Sequence, residues 1–200
     1  VLMVGMRLDD LATLDPAEVF EVSGGELVAN LYDRLIDMAD GRPQGVLAES
    51  WKVSPDGRQF VFTLKKGMKF HSGKPVTAGD VAWSFERVVR LDRGAAPLLR
   101  QLGLTPQNVG LRARAADDQT FVLDLADPLA PGLVFNILSS YAASVIDSRL
   151  GRQFEKNGDL GSTWLRMHDG GSGPFKLALW KPGQGLILDR FFNHHSRPPA

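Results

Sequence analysis

The sequence predicts an α+β chain, on three observations. Apolar and polar residues alternate on both sides of turn signals in three places, each of which reads as a β-hairpin. Two stretches repeat apolar residues at helical spacing behind a Ser/Thr–acid pair. No internal repeat or low-complexity tract interrupts the 200 residues. Separate hairpins and helices around a common core are the α+β pattern.

Taken in order, Val1 to Met6 reads as a short buried strand, followed by an irregular stretch through Asp9, Asp10, Asp15 and Pro16. Ser23 and Glu26 stand at capping-box spacing, and Leu27, Val28, Leu31, Tyr32, Leu35 and Ile36 repeat as a helical stripe to about Met38. Asp40-Gly41 is expected to end that helix. Residues 51–64 form the first hairpin: Pro55-Asp56-Gly57 is the turn, and Phe60, Phe62 and Leu64 share one face. Thr77 and Asp80 repeat the cap logic before a second helix with Val81, Phe85 and Val88 as its buried stripe. Leu111 to Ala115 and Phe121 to Leu125 flank Ala116-Asp117-Asp118-Gln119 as a second hairpin. Short helices are expected over 133–139 and 143–150, and Ser162 to Gly173 reads as a glycine-rich loop. Phe175 to Trp180 and Leu186 to Phe191 make the third hairpin around Lys181-Pro182-Gly183-Gln184-Gly185.

Composition narrows the function. Lys+Arg and Asp+Glu are both 23, so the formal net charge is zero and nothing favours nucleic acid or an anionic membrane. The absence of cysteine removes disulfide scaffolds, thiol nucleophiles and Cys-ligated metals. No stretch reaches the roughly 18–20 apolar residues of a membrane span. The chain opens on Val1 and stops at Pro198-Pro199-Ala200, so both ends are expected to be cut from a longer protein, with any signal segment outside these residues.

No catalytic set stands out. His194 and His195 are adjacent, and adjacent residues on a strand face opposite ways, so the expectation is solvated loop histidines and no metal site. His168 precedes Asp169, and His71 falls in the turn Phe70-His71-Ser72-Gly73, where a structural hydrogen bond is expected over general-base work. Gly170, Gly171 and Gly173 precede a strand, which is the wrong order for a phosphate-cradling loop. Ser172 lacks the nucleophile-elbow pattern. Trp51, Trp83, Trp164 and Trp180 are expected in the core or at hinges. No cofactor is implied.

One ordered series of motifs goes further. Leu14-Asp15-Pro16, Leu31-Tyr32-Asp33-Arg34-Leu35, Leu47-Ala48-Glu49-Ser50-Trp51 and Ser54-Pro55-Asp56-Gly57 come first. They are followed by the run from Phe60 to Arg87, Thr120-Phe121-Val122-Leu123, and Gly171-Ser172-Gly173-Pro174-Phe175 leading to Trp180 and Pro182-Gly183. In that order they resemble the extracytoplasmic solute-binding proteins of the peptide/nickel ABC-importer family. The resemblance implies a type II, three-lobe periplasmic-binding-protein-like fold, of which this chain is an N-terminal fragment. Residues 1–34 would begin lobe I, 35–160 would form the small inserted lobe II, 165–200 would return into lobe I, and the C-terminal lobe would be absent.

The same resemblance implies a periplasmic, non-enzymatic protein. It would hold a peptide or similar small solute in an interlobe cleft and deliver it to membrane permease subunits, as a monomer when full length. It carries over the segment Phe20, Glu21, Val22 and Ser23 as a backbone edge that pairs with an extended peptide. It also carries over Leu98, where some relatives place an aromatic against the ligand. Phe191-Phe192-Asn193-His194-His195 departs from the family's usual Arg-Asn-Pro with a downstream Tyr-Trp, so the ligand could be a sugar-containing compound, an opine or another solute. A carrier of a metal complex, with His168, His194 and His195 as the available ligands, and more remotely a hydrolase, are the competing readings.

Overall fold

The computed structural model describes residues 11–195; the expected strand at Val1–Met6 lies outside them. Helix α1 spans Val22–Leu31. A hairpin of β1 (Ile36–Ala39) and β2 (Arg42–Gly45) follows, then β3 (Ala48–Val53) and β4 (Gln59–Leu64). The long helix α2 (Ala78–Leu91) leads to α3 (Ala96–Arg100) and α4 (Val109–Arg112), then to β5 (Ala113–Ala115) and β6 (Thr120–Asp124). Three further helices, α5 (Pro131–Leu138), α6 (Ser148–Gln153) and α7 (Ser162–Leu165), precede the hairpin of β7 (Phe175–Lys181) and β8 (Gly185–Arg190).

The main sheet is antiparallel with strand order β3-β4-β6-β5. The strand β4 alternates as its sequence requires: Phe60, Phe62 and Leu64 are buried, and Phe62 stands opposite Phe121 of β6. That face meets α2, where Phe85 packs on Phe121 at 5.2 Å between ring centroids. The predicted stripe Val81, Phe85 and Val88 is buried. The start of α2 is a full capping box: Thr77 Oγ1 accepts from the Asp80 N–H, and an Asp80 carboxylate oxygen accepts from the Thr77 N–H at 2.9 Å.

Apolar residues gather in two clusters. The larger joins the sheet, α2, α3 and α5. The smaller joins Leu11, Leu14, Val19, the buried face of α1, Ile146, Leu165 and Trp180. Three backbone hydrogen bonds join the stretch from β1 to α6 to the chain before and after it: Val145 N–H to Asp33 C=O (2.9 Å), Asp147 N–H to Gly170 C=O (2.8 Å) and His71 N–H to Gly171 C=O (2.9 Å); another, Gly173 N–H to Leu31 C=O (3.0 Å), ties the returning chain to the end of α1.

Several local expectations are corrected. The first helix ends at Leu31, because Tyr32 is already extended (φ −125°, ψ 135°) and Ile36 belongs to a strand. Ser23 is not its cap; it is buried inside the first turn, and Glu21 is the N-cap residue without a side-chain cap bond. Asp40-Gly41 closes the β1–β2 hairpin, both residues having positive φ (50° and 72°), as a tight two-residue hairpin turn demands. Leu111 lies in α4, ahead of β5. The expected helix over 143–150 divides into a 3-10 turn at Tyr141–Ala143 and α6, because Val145 is drawn out to bond Asp33 and Asp147 caps α6 by accepting from the Arg149 N–H. The 162–173 loop contains the short α7.

Candidate functional site

Phe20 and Val22 stand out at the surface, 78% and 80% exposed, on either side of the half-buried Glu21. The segment is not the extended edge expected of it. Glu21 is extended (φ −85°, ψ 155°), but Val22 and Ser23 already belong to the first turn of α1, and Ser23 faces inward. What it offers is an apolar pair beside the start of a helix, whose first N–H groups have no intrahelical acceptor. The Glu21 side chain folds back: Oε2 accepts from the Phe20 N–H at 3.1 Å, while Oε1 is buried without a hydrogen-bond partner. Leu98 is half-buried on α3 against the larger cluster. Its helix is tied to the same region, because the Ala95 N–H donates to the Ala17 carbonyl at 3.2 Å.

The acid of Leu14-Asp15-Pro16 is structural. Asp15 and Arg87 are fully buried and paired through both guanidinium nitrogens, at 2.7 and 2.5 Å. Asp15 also accepts from Ser162 Oγ (2.8 Å) and the Ala17 N–H (3.0 Å), and Arg87 Nε donates to the Leu160 carbonyl (2.8 Å). Glu18, pairing with Arg93 and Arg166, extends the network. The segment that carries Phe20 is thereby held from below.

The histidines are the main surprise. The expected structural role of His71 is seen: Nδ1 meets Asp169 at 2.5 Å, Nε2 meets the Gly173 carbonyl at 2.9 Å, and Phe191 packs edge-on against the ring. His168 stacks on Trp164, which stacks on Phe154 in turn. His194 and His195 are not solvated loop residues. Residues 191–195 form a turn, closed by the His194 N–H on the Phe191 carbonyl, so the strand argument for opposite faces does not apply. Both imidazoles converge on Asp33: His194 Nε2 lies 3.3 Å from Oδ1 and His195 Nε2 lies 3.5 Å from Oδ2. Burial pushes the Asp33 carboxyl up, and the hydrogen bonds and charges of the two histidines outweigh it, leaving the group below the usual carboxylate range. Sequence spacing hid this cluster, because Asp33 is far from the pair along the chain.

The glycines of 170–173 have a packing explanation. A Cβ on Gly171 would run into the Leu31 carbonyl, and one on Gly173 would lie 2.5 Å from the Asn30 carbonyl oxygen. They let the returning chain lie against the end of α1. Tyr32 closes the same corner, where its hydroxyl accepts from the Gly170 N–H at 3.3 Å.

The family described as bacterial extracellular solute-binding proteins, family 5 Middle, matches residues 42–200. The chain belongs to this family. It is 34% identical over 194 residues to the probable D,D-dipeptide-binding periplasmic protein DdpA of Escherichia coli (strain K12), covering 94% of this chain and 35% of that protein. The chain thus spans about a third of the length of the curated relatives it matches. Among solved structures, the substrate-binding domain of an oligopeptide ABC transporter from Bacillus anthracis str. Ames superposes with a TM-score of 0.82 at 20% identity, covering 96% of this chain and 38% of that one. AgaA from A. tumefaciens R10, in complex with agropinic acid, gives a TM-score of 0.77 at 26% identity over 94% of this chain and 35% of that one. The fold is therefore that of the periplasmic peptide-binding proteins. The relatives are named as binding proteins of transporters, and no helix among the described residues is long and apolar enough to cross a membrane.

Proposed function

We propose that this chain is part of the substrate-binding component of an ABC importer, which captures a peptide or similar small solute and passes it unchanged to permease subunits outside the cytoplasm. The observation that carries this reading is family membership together with the exposed Phe20–Val22 pair, an apolar wall anchored on the buried Asp15–Arg87 pair. Residues 1–34 and 165–200 make the lobe I side and residues 35–160 make lobe II, with apolar packing that crosses the division, since Ala17 joins the larger cluster and Trp83 and Ile146 the smaller. Phe20, Glu21, Val22 and Ser23 face the ligand through the apolar side chains and the helix start, with Leu98 on the neighbouring α3. Binding is trapping in a cleft, with no bond made or broken, and the working form is a monomer in the periplasm.

An opine is the second reading, favoured by the 26% identity to AgaA. Isothermal titration of the full-length protein with D,D- and L,L-dipeptides, longer peptides and agropinic acid tests both. Saturable heat with any peptide supports the first reading, heat with agropinic acid alone supports the second, and no heat with any of them overturns both. A Phe20→Ala variant should weaken whichever ligand binds by about tenfold, the loss of one well-buried aromatic contact being worth over 1 kcal/mol.

A further inference from the structure

We propose that Asp33, His194 and His195 form a binding site for a divalent transition-metal cation of the Zn2+ or Ni2+ type. The site takes one carboxylate and two imidazole nitrogens, all within 4.8 Å of one another. All three side chains are turned inward: 6% of Asp33 is exposed, 3% of His194 and 15% of His195. The imidazole of His195 is tucked in although the residue as a whole is exposed.

The spacing of the three groups suits an ion. Each Nε2 sits on a different carboxylate oxygen at 3.3 and 3.5 Å, longer than a good charge-assisted hydrogen bond. Ligand atoms about 2.0–2.1 Å from a tetrahedral ion stand about 3.3–3.4 Å apart; each Nε2 is near that distance from one carboxylate oxygen, and the three ligand atoms lie within 4.8 Å of one another. The two rings lie close together, with centroids 4.1 Å apart and planes tilted by 40°. An imidazole–carboxylate donor set suits Zn2+, Ni2+ or Cu2+, whereas Ca2+ and Mg2+ prefer all-oxygen sets.

A supporting contact is in place. Ser172 Oγ, buried in the glycine-rich return, donates to Asp33 Oδ2 at 3.0 Å and orients the carboxylate. Leu47 and Met68 make the apolar side of the pocket, Asn193 a polar one, and Lys69, itself exposed, lies at the rim. A bound ion would tie Asp33, two residues past α1, to the turn after β8, two points far apart in the chain. The site is independent of the transport reading, since none of its ligands belongs to the Phe20–Ser23 wall.

The test uses the full chain, stripped with a chelator and dialysed, titrated with ZnCl2, NiCl2 and CaCl2 by calorimetry and followed by thermal melting. The expected result is one equivalent of Zn2+ or Ni2+ bound, a raised Tm, and no response to Ca2+. His194→Gln/His195→Gln should abolish the heat. Ser172→Ala should weaken it 10- to 100-fold, as the loss of an orienting contact does. His168→Gln, which leaves the three ligands intact, should bind as the parent does. Absence of heat with Zn2+ and Ni2+ in the parent overturns the proposal, as does binding undiminished in the double variant. Should the double variant fail to fold, X-ray absorption of the loaded parent decides: a shell with two imidazoles supports the site, and one without them refutes it.

Discussion

Replacing Arg87 by methionine isolates a fully buried, doubly bonded ion pair. Neither Arg87 nor Asp15 touches solvent, and the carboxylate takes two guanidinium bonds. Methionine fills most of the space but leaves Asp15 as a buried charge with only Ser162 Oγ and the Ala17 N–H as donors. Breaking a buried pair from one side costs about 3–5 kcal/mol, mostly because the orphaned charge remains desolvated. In a chain of this size about 1 kcal/mol moves the Tm by about 2–4 °C, so the expected drop is about 6–20 °C. Urea melts and calorimetry give both numbers. Asp15→Asn combined with Arg87→Met removes the orphaned charge while keeping an acceptor for the Ala17 N–H, so the double variant should be more stable than Arg87→Met alone. A loss below about 1 kcal/mol for Arg87→Met, or a double variant no better than the single, would refute the view that an uncompensated charge is what hurts.

Three smaller tests follow from other parts of the fold. Gly171→Ala should cost about 1–3 kcal/mol in urea melts, since its Cβ collides with the Leu31 carbonyl, a backbone atom with little room to give; Gly25→Ala, with open space around it, is the control and should cost nothing. Thr77→Ala should cost about 1 kcal/mol by removing the cap of α2, measured by chemical denaturation, while Thr77→Ser should restore most of it. Burial pushes the Asp159 carboxyl up, but bonds from the Lys156, Thr163 and Gly161 N–H groups and the Thr163 side chain bring it well below its ordinary range. A depressed acid stabilises the fold above its unfolded pKa of about 3.9 and loses that contribution as pH falls further. The Tm gap between the parent and Asp159→Asn should therefore be widest near pH 6 and shrink below about pH 4; a gap that does not change with pH would contradict it.

Much of the fold was legible in local pattern. Alternation gave β4 and its partners, the Thr77–Asp80 pair gave the start of α2, and Pro182-Gly183 gave the last hairpin, because each depends on residues a few positions apart. Leu35 and Ile36 misled, because two apolar residues in sequence suit a helix face and a buried strand equally; the extended Tyr32 decides, and its ring is fixed by Gly170, far along the chain. The motif series gave the family. The side-chain clusters were not legible, since Asp15 with Arg87, His71 with Asp169, and Asp33 with His194 and His195 meet only through the tertiary fold. The His-His dipeptide was read on strand geometry, and a turn placed both rings on one carboxylate.

The three backbone bonds that hold the stretch from β1 to α6 to the flanking chain have a mechanical meaning. They link peptide groups, so surface or core substitutions that keep the chain path leave the joint intact. Sliding that stretch past the flanking chain would rupture all three together, at roughly 0.5–1.5 kcal/mol each, before any compensating contact forms. The described part of the molecule should therefore move as one rigid body, exchanging the amides of His71, Val145 and Asp147 slowly and at similar rates.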